Sequence, residues 1–227
     1  MYANSRVPQS AQTGIHERLA ELVDRHRREP FRKPVLDYNR AAFDASMAAW
    51  GGASNANAPL ILDAACGTGA SSVLLAERNP DCFVIGVDQS AARLDTEKGA
   101  LPGNLCLVRA DLVDYWRLLA ERGVRLHRHC LFYPNPWPKI GHLSRRWHGH
   151  AVFPVLPALG GIIECRSNWR IYVEEFAFAL GRLLGREIAW EAFVPDEPVS
   201  PFERKYRDSG QQLYRCEVDL RDLRSAA

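Results

Sequence analysis

The sequence is informative first for what it is short of. No apolar run approaches the roughly 20 residues that cross a bilayer, and the opening segment MYANSRVPQSAQTG has no apolar core of the kind a secretory signal carries. The six cysteines, Cys66, Cys82, Cys106, Cys130, Cys165 and Cys216, are scattered and form no C-x-x-C pair, which argues against a disulfide scaffold or a zinc knuckle. Several lie inside apolar runs (CFVIGV, LCLV, CLFY), where a thiol behaves as a small core residue. A reducing cytoplasm, with no membrane, is the expected setting. His142, His148 and His150, with His127 and His129, match no fixed ligand spacing, so no metal is expected. His127-Arg-His129 reads as a polar edge before a strand. An excess of one charge is also missing, since the formal net charge is only +2. Internal repeats and low-complexity segments are absent.

What is there is an ordinary folding chain. With 227 residues, 47% hydrophobic and 25% charged, it can build one sizeable domain with a buried core. Residues 1–13 read as a flexible tail. Residues 14–29 carry Ile15, Leu19, Leu22 and Val23 at helical spacing. Pro30 and Pro34 punctuate, a second helical stretch runs to about Trp50, and GGASNANAP (51–59) reads as a linker. This gives a tail with helices over 1–57 and a main domain over 58–227. From Leu60 onward, strands alternate with helices: LILDAA, ASSVLLAERN, CFVIGVD, SAARLDTEK, NLCLVRAD, LVDYWRLLAER, RHCLFYP, GGIIECRS, then a helix from about Trp169 to Leu184. EIAWEAFV and QQLYRCEVDL read as a final antiparallel pair of strands. The expected fold class is α/β: a mainly parallel seven-stranded sheet with helices on both faces and an N-terminal helical extension.

Two segments carry chemistry. The first is Asp63-Ala-Ala-Cys-Gly67-Thr-Gly69, between a strand and a helix. Its glycines let the backbone turn tightly and approach a ligand. Asp88 ends the next strand, about 20 residues on, where a carboxylate binds ribose hydroxyls. The sixth position of Gly67-Thr-Gly69-Ala-Ser-Ser72 is Ser, which disfavours a dinucleotide, and no Lys follows to make a P-loop. The acidic Asp63 suits a cationic ligand, and S-adenosylmethionine, a sulfonium without a pyrophosphate, is the remaining fit. Asp-x-x-x-Gly-x-Gly resembles motif I of the Rossmann-like methyltransferases. That likeness implies cofactor roles for Asp63, Gly67, Gly69 and Asp88, and for Asp111 near the adenine.

The second segment is Tyr133-Pro-Asn135-Pro-Trp137-Pro-Lys139. Its prolines fix the backbone and remove donors, so that Asn135 and Trp137 are held in a set geometry and Trp137 can stack on a flat base. Followed by His142, Arg145 and Arg146, this segment resembles the F-P-D-P-W-x-K-x-x-H-x-x-R-R signature of the tRNA (guanine-N7)-methyltransferases, which methylate a guanine in the tRNA variable loop. Ser200-Pro201-Phe202-Glu203 resembles that family's T-K-F-E, and Ser167-Asn168-Trp169 its T-D-W. The resemblance spans roughly residues 58 to 217. It implies that Asn135 stands next to both cofactor and base. It implies too that Lys139, Asn168, Ser200, Pro201, Phe202 and Glu203 line the substrate side, and that Arg145 and Arg146 meet RNA phosphate. The family's two Asp positions are Asn135 and Asn168 here, and its Thr-Lys is Ser200-Pro201. Guanine N7 already has a lone pair, so transfer can rest on alignment without a strong base. Base recognition is more exposed to the change: guanine's N1–H and N2–H₂ call for acceptors, whereas Asn has one acceptor and one donor, a better match for an adenine-like edge or another heterocycle. A close variant acting on another tRNA base therefore stays open, with Glu203 the carboxylate left to serve a guanine edge. Two basic clusters, Arg25 to Lys33 and Lys139 to Arg146, are candidates to track a phosphate backbone. A small-heterocycle N- or S-methyltransferase on the same scaffold and a non-catalytic RNA-binding protein are the alternatives.

Overall fold

The apolar pattern of the strands sets the architecture. In β1 (Leu60–Ala64) and β2 (Phe83–Asp88) every residue is buried, with no polar face, the mark of strands covered on both sides. The computed structural model describes residues 7–53 and 58–222. It contains a seven-stranded sheet in the order β3-β2-β1-β4-β5-β7-β6, with β3 (Leu105–Arg109), β4 (Arg128–Phe132), β5 (Ile162–Ser167), β6 (Glu191–Phe193) and β7 (Leu213–Asp219). Strands β1 to β5 run parallel, and β7 enters antiparallel between β5 and β6. Helices α1 (Leu19–Arg28), α2 (Asp37–Gly51), α3 (Ala70–Arg78), α4 (Ala91–Leu94), α5 (Leu112–Glu121), α6 (Arg170–Leu184) and α7 (Pro201–Asp208) complete it.

The two faces have different cores. Leu60, Leu62, Phe83, Ile85 and Val87 join Leu19, Val23 and Phe43 of the N-terminal helices and Trp116, Tyr172 and Phe176 of α5 and α6. Ile61 and Val84 meet Leu75 and Ala76 of α3 on the other face. Alternation along a strand therefore turns Asp63 and Gly86 toward α3. The N-terminal helices share the core of the sheet.

Several sequence readings shift. The tail over 1–13 is anchored where it is described: the Ser10 hydroxyl donates to the Pro138 carbonyl (2.5 Å), and the Gln12 side chain bonds Glu175 and Arg146. Residues 1–6 lie outside the described residues, as do 54–57 of the linker and 223–227 of the main domain. SAARLDTEK and EIAWEAFV shrink to one helical turn and three strand residues. Three 3₁₀ segments, Ile140–Arg145, Trp147–Gly149 and Phe153–Leu159, and helix α7 add to the expected elements. His129 is no polar edge: it is buried in β4 and accepts a hydrogen bond from Trp116 Nε1 at Nε2 (3.0 Å). Burial drives its pKa down to about 3, so it stays neutral.

Candidate active site

In the parallel part of the sheet the chain moves outward from β1 to β2 and β3, then crosses to β4 and β5 on the other side. The strand order therefore reverses between β1 and β4, and the loops leaving their carboxyl ends open a crevice there. These are the glycine loop after β1 and the proline-rich loop after β4.

The glycine loop has a backbone that needs glycine. Gly67 has φ +62° with open space beside it, and Gly69 has φ +79° with Leu107 2.8 Å from where a Cβ would stand. Ala65 adopts φ 59° as well, a conformation that few side-chain-bearing residues accept. Asp88 ties this loop to β2: its Oδ2 accepts from Gly67 N–H (3.0 Å) and its Oδ1 from Ser90 N–H (2.9 Å). A carboxylate has about four lone-pair sites, so each oxygen can accept once more, as a ribose diol requires. Asp63 lies beneath the loop, 1% exposed, and its Oδ2 accepts from the hydroxyls of Ser71 and Ser72 at 2.6 Å each. Burial raises its pKa to about 6, against the pull of the two hydroxyls. Asp63 thus holds the start of α3 and sets a buried negative charge under the crevice. Asp111 caps α5 by accepting from Val113 N–H (2.9 Å). Its own N–H donates to buried Asn39 of α2, whose amide also binds Asp114 (2.7 Å). The open backbone at Gly67, the spare capacity of Asp88 and the charge of Asp63 fit a cationic nucleoside such as S-adenosylmethionine. Gly67, Gly69, Asp88 and Asp111 would hold it, and it would supply an activated methyl group.

The proline-rich loop stores strain. Tyr133 and Trp137 have φ 52° and 45°, and such outliers persist only where neighbours over-determine them. The Arg145 guanidinium lies 4.8 Å over the Trp137 ring and His142 meets it edge-on. Lys139, Asn135 and Arg145 are exposed.

Arg146 corrects the expectation of a phosphate contact. It is fully buried, pairs with Glu175 Oε2 (2.6 Å), donates to the Trp137 carbonyl (3.2 Å) and to Gln12 Oε1 (3.0 Å), and sits 4.8 Å over Trp169. It fixes the proline-rich loop from behind. Burial keeps His148 toward its neutral form, bonded to the same Glu175 oxygen at 2.8 Å. Burial alone would raise the Glu175 carboxyl, but His148 and Arg146 outweigh it and hold it at about 2.

Glu203 departs from its expected substrate role as well. It is fully buried. One oxygen accepts from Tyr133 Oη (2.7 Å) and Arg166 (3.0 Å), and the other from Val199 N–H (2.6 Å) and Arg166 (3.2 Å). No capacity is left for a base edge. Ser200 is the N-cap of α7, accepting from Glu203 N–H (3.1 Å), with Pro201 at its first turn. Both also line a cavity of about 300 Å³ shared with Thr68, Lys98 and Arg204, so the start of α7 does reach the glycine loop. Phe202 is 55% exposed and stacks on Tyr206, which leans on Tyr133. Asn168 follows β5 and donates through Nδ2 to Gln211 (2.9 Å).

Sequence reasoning missed Glu175, Asn39 and Arg166. A lone acid among Ile171, Tyr172 and Phe176, on the apolar face of a helix, was a usable signal for Glu175. For Arg166 the signal was Glu164 two residues earlier, hence on the same strand face and at 2.6 Å. Asn39 left no trace beyond its helix.

Comparison with known proteins agrees with this geometry. The model of a family described as "Putative methyltransferase" matches residues 57–216. The tRNA (guanine-N(7)-)-methyltransferase of Brevibacillus brevis is 30% identical over 178 residues, covering 71% of this chain and 81% of that protein. This chain belongs to the tRNA (guanine-N7)-methyltransferase family, whose members are S-adenosylmethionine-dependent. The family's Treponema pallidum (strain Nichols) enzyme is 26% identical over 166 residues, 70% of this chain and 66% of that protein, so the chain spans about two thirds of that relative's length. Among solved structures, an antibiotic-related methyltransferase superposes with a TM-score of 0.55 at 13% identity, over 83% of this chain and 96% of its own. A 16S rRNA (adenine(1408)-N(1))-methyltransferase variant with cosubstrate from Catenulisporales acidiphilia gives 0.54 at 20%, over 82% and 94%. These two likenesses establish the Rossmann-like methyltransferase fold.

Proposed function

We propose that this protein transfers the methyl group of S-adenosylmethionine to a ring nitrogen of a base in tRNA, guanine N7 or a close variant, in the cytoplasm. The observation that carries this reading is the rigid loop after β4. It sets Asn135 and Trp137 across the switch point from the glycine loop, with the cations Lys139 and Arg145 at its rim.

The chain's task is alignment. A ring nitrogen with a lone pair forms the new N–CH₃ bond as the S–CH₃ bond breaks, and the positive charge passes from the sulfonium to the methylated ring in the same step. No strong base is needed to start it, which agrees with Asn in place of Asp at position 135. Trp137, braced by Arg145 and His142, offers a face for the base, and fixing the nitrogen in line is worth several orders of magnitude in rate. Asp63 and Asp88 supply the negative charge and the diol acceptor for the cofactor.

The test is incubation of the purified protein with methyl-labelled cofactor and bulk tRNA, followed by nucleoside analysis. Label in a methylated nucleoside, N7-methylguanosine first among them, is expected. Label confined to a small heterocycle would sink the RNA half of the proposal.

A further inference from the structure

The loop after β3 is held at three points, and one of the holds is remote. Asp111 ends that loop. Its carbonyl accepts from Tyr115 N–H (3.0 Å) and its Oδ1 from Val113 N–H (2.9 Å), bonds that an Asp at the start of any helix can make. Its own N–H donates to Asn39 Oδ1 (2.9 Å), 72 positions earlier in α2. Asp111 Oδ2 takes no hydrogen bond from any described residue. Ala110, next in the same loop, donates its N–H to the Asp88 carbonyl (3.2 Å). The loop that Asn39 grips is therefore joined to the end of β2 as well.

Asn39 is 0% exposed, and an amide buried so completely must have its partners built in. The two ends are assigned by those partners. Nδ2 donates to Asp114 Oδ2 (2.7 Å), a carboxylate that accepts, and Oδ1 accepts from an N–H that can only donate. Turned over, the amide would set like against like at both ends. Leu36 N–H (3.1 Å) and Arg117 (3.2 Å) complete Asp114. The join of α2 to α5 has other ties: Ser46 to Tyr115 Oη (2.7 Å), Arg40 to Glu121 (3.4 Å), Asp44 to Arg122, and the Phe43 ring edge-on to Tyr115. Among these ties Asn39 is the one that also reaches the loop after β3.

We propose that Asn39 is a positioning residue of the cofactor site: by anchoring Asp111 it sets that residue's one uncommitted oxygen for the adenine of S-adenosylmethionine. The inference rests on the reading of this site as an S-adenosylmethionine site. It carries the site into the N-terminal helices, outside the residues 57–216 that the family model matches. A free carboxylate oxygen complements the N6–H₂ donor of adenine and opposes the O6 acceptor of a 6-oxopurine.

The test uses the full chain without RNA, by calorimetric titration with S-adenosylmethionine, S-adenosylhomocysteine and the inosine analogue of the latter. Asn39→Leu has nearly the same shape and removes both bonds. Asp111→Ala removes the carboxylate, and the double variant closes the cycle. Ser46→Ala, which loses a buried bond between α2 and α5, is the control for general loosening. Asn39→Leu should weaken S-adenosylmethionine binding about five- to tenfold, the scale of one hydrogen bond to a charged group, but less than about twofold in the Asp111→Ala background. It should also narrow the preference for S-adenosylhomocysteine over its inosine analogue, expected to be about tenfold in the wild-type protein. Ser46→Ala should leave both readings within about twofold of the wild-type protein. Equal losses in the two backgrounds, a preference unmoved in Asn39→Leu, or no preference in the wild-type protein each overturns the inference while leaving the cofactor site. Should Asn39→Leu not fold, Asn39→Ala, which leaves room for a water against Asp114, takes its place in the cycle. Failure of both to fold where Ser46→Ala folds would assign Asn39 to the fold alone and overturn the inference too. A wild-type protein that binds no S-adenosylmethionine would remove the cofactor reading itself, and this inference with it.

Discussion

At the scale of single residues, neighbouring letters in the chain do unrelated work. Arg145 and Arg146 are adjacent and identical, and the sequence offers no way to tell them apart. The turn at the end of the first 3₁₀ segment sends one over Trp137 into solvent and the other into a sealed pocket with Glu175. Arg145→Ala should leave the melting temperature nearly unchanged and reduce the salt dependence of RNA binding by a slope of about one. Arg146→Ala should leave buried Glu175 without its guanidinium partner, held by His148, Gln12 and the His16 N–H alone, at a cost of up to about 3–5 kcal/mol. For a chain of this length that is a fall of about 6–20 °C in melting temperature. Calorimetric melting beside a salt titration separates the two, and equal behaviour of both variants would contradict the assignment. Asp63 gives a pH prediction. Its pKa in the fold is raised by burial to about 6, above the ordinary 3.8. The folded protein therefore holds this proton more tightly than the unfolded chain, and the group's contribution to stability is largest below the unfolded value and declines as pH rises through about 6. For binding the sign is opposite. Cofactor affinity should weaken as pH falls through about 6 and the buried charge is neutralised. Asp63→Asn should bind more weakly, with that pH dependence between pH 5 and 7 gone, while its stability at pH 7.5 holds or improves. Isothermal titration across that range is the check.

At the scale of elements, most of the fold was legible. Fully apolar strands and amphipathic helices announce themselves by period, and all seven strands lie where the pattern puts them. The weaker segments failed for physical reasons. SAARLDTEK has helical composition but buries no residue, and only one turn of it forms. The stretch from Ile140 to Leu159 is held by aromatic contacts and prolines in 3₁₀ turns, whose three-residue repeat leaves no clear stripe. The motif loops were legible in position but less so in partners, because Glu203 and Arg146 are recruited by residues far off in the chain. Gly86 shows how tightly two elements meet under the cofactor loop. A Cβ there would stand 2.3 Å from Ser72 Oγ and 2.8 Å from Leu107. Gly86→Ala should push Ser72 away from Asp63, costing about 1–3 kcal/mol by overpacking. Cofactor affinity should fall with it, whereas a variant with unchanged melting and binding would show that α3 can shift freely.

At the scale of the whole molecule, the segment before α1 straps the proline-rich loop to α6. Ser10 holds Pro138, and Gln12 and the His16 N–H join Arg146 and His148 on the two oxygens of Glu175. The division of the sequence at residue 57 hid this, because polar residues such as Ser10 and Gln12 carry no periodic signal. Removing residues 1–13 should slow methyl transfer and speed amide exchange over residues 133–146 while leaving cofactor affinity within about twofold, as expected for local loosening. An equal loss in methyl transfer and in cofactor affinity would assign the segment to the fold as a whole.

The place of β7 between β5 and β6 has a consequence for how the protein is made. Strands β1 to β5 and the glycine loop leave the ribosome first and can assemble in order, since each pairs with a strand already synthesised. Until residues 213–219 emerge, the open edge of β5 has no partner, and α7 with Glu203 has only just arrived. A nascent or prematurely stopped chain therefore exposes a bare strand edge that invites self-association.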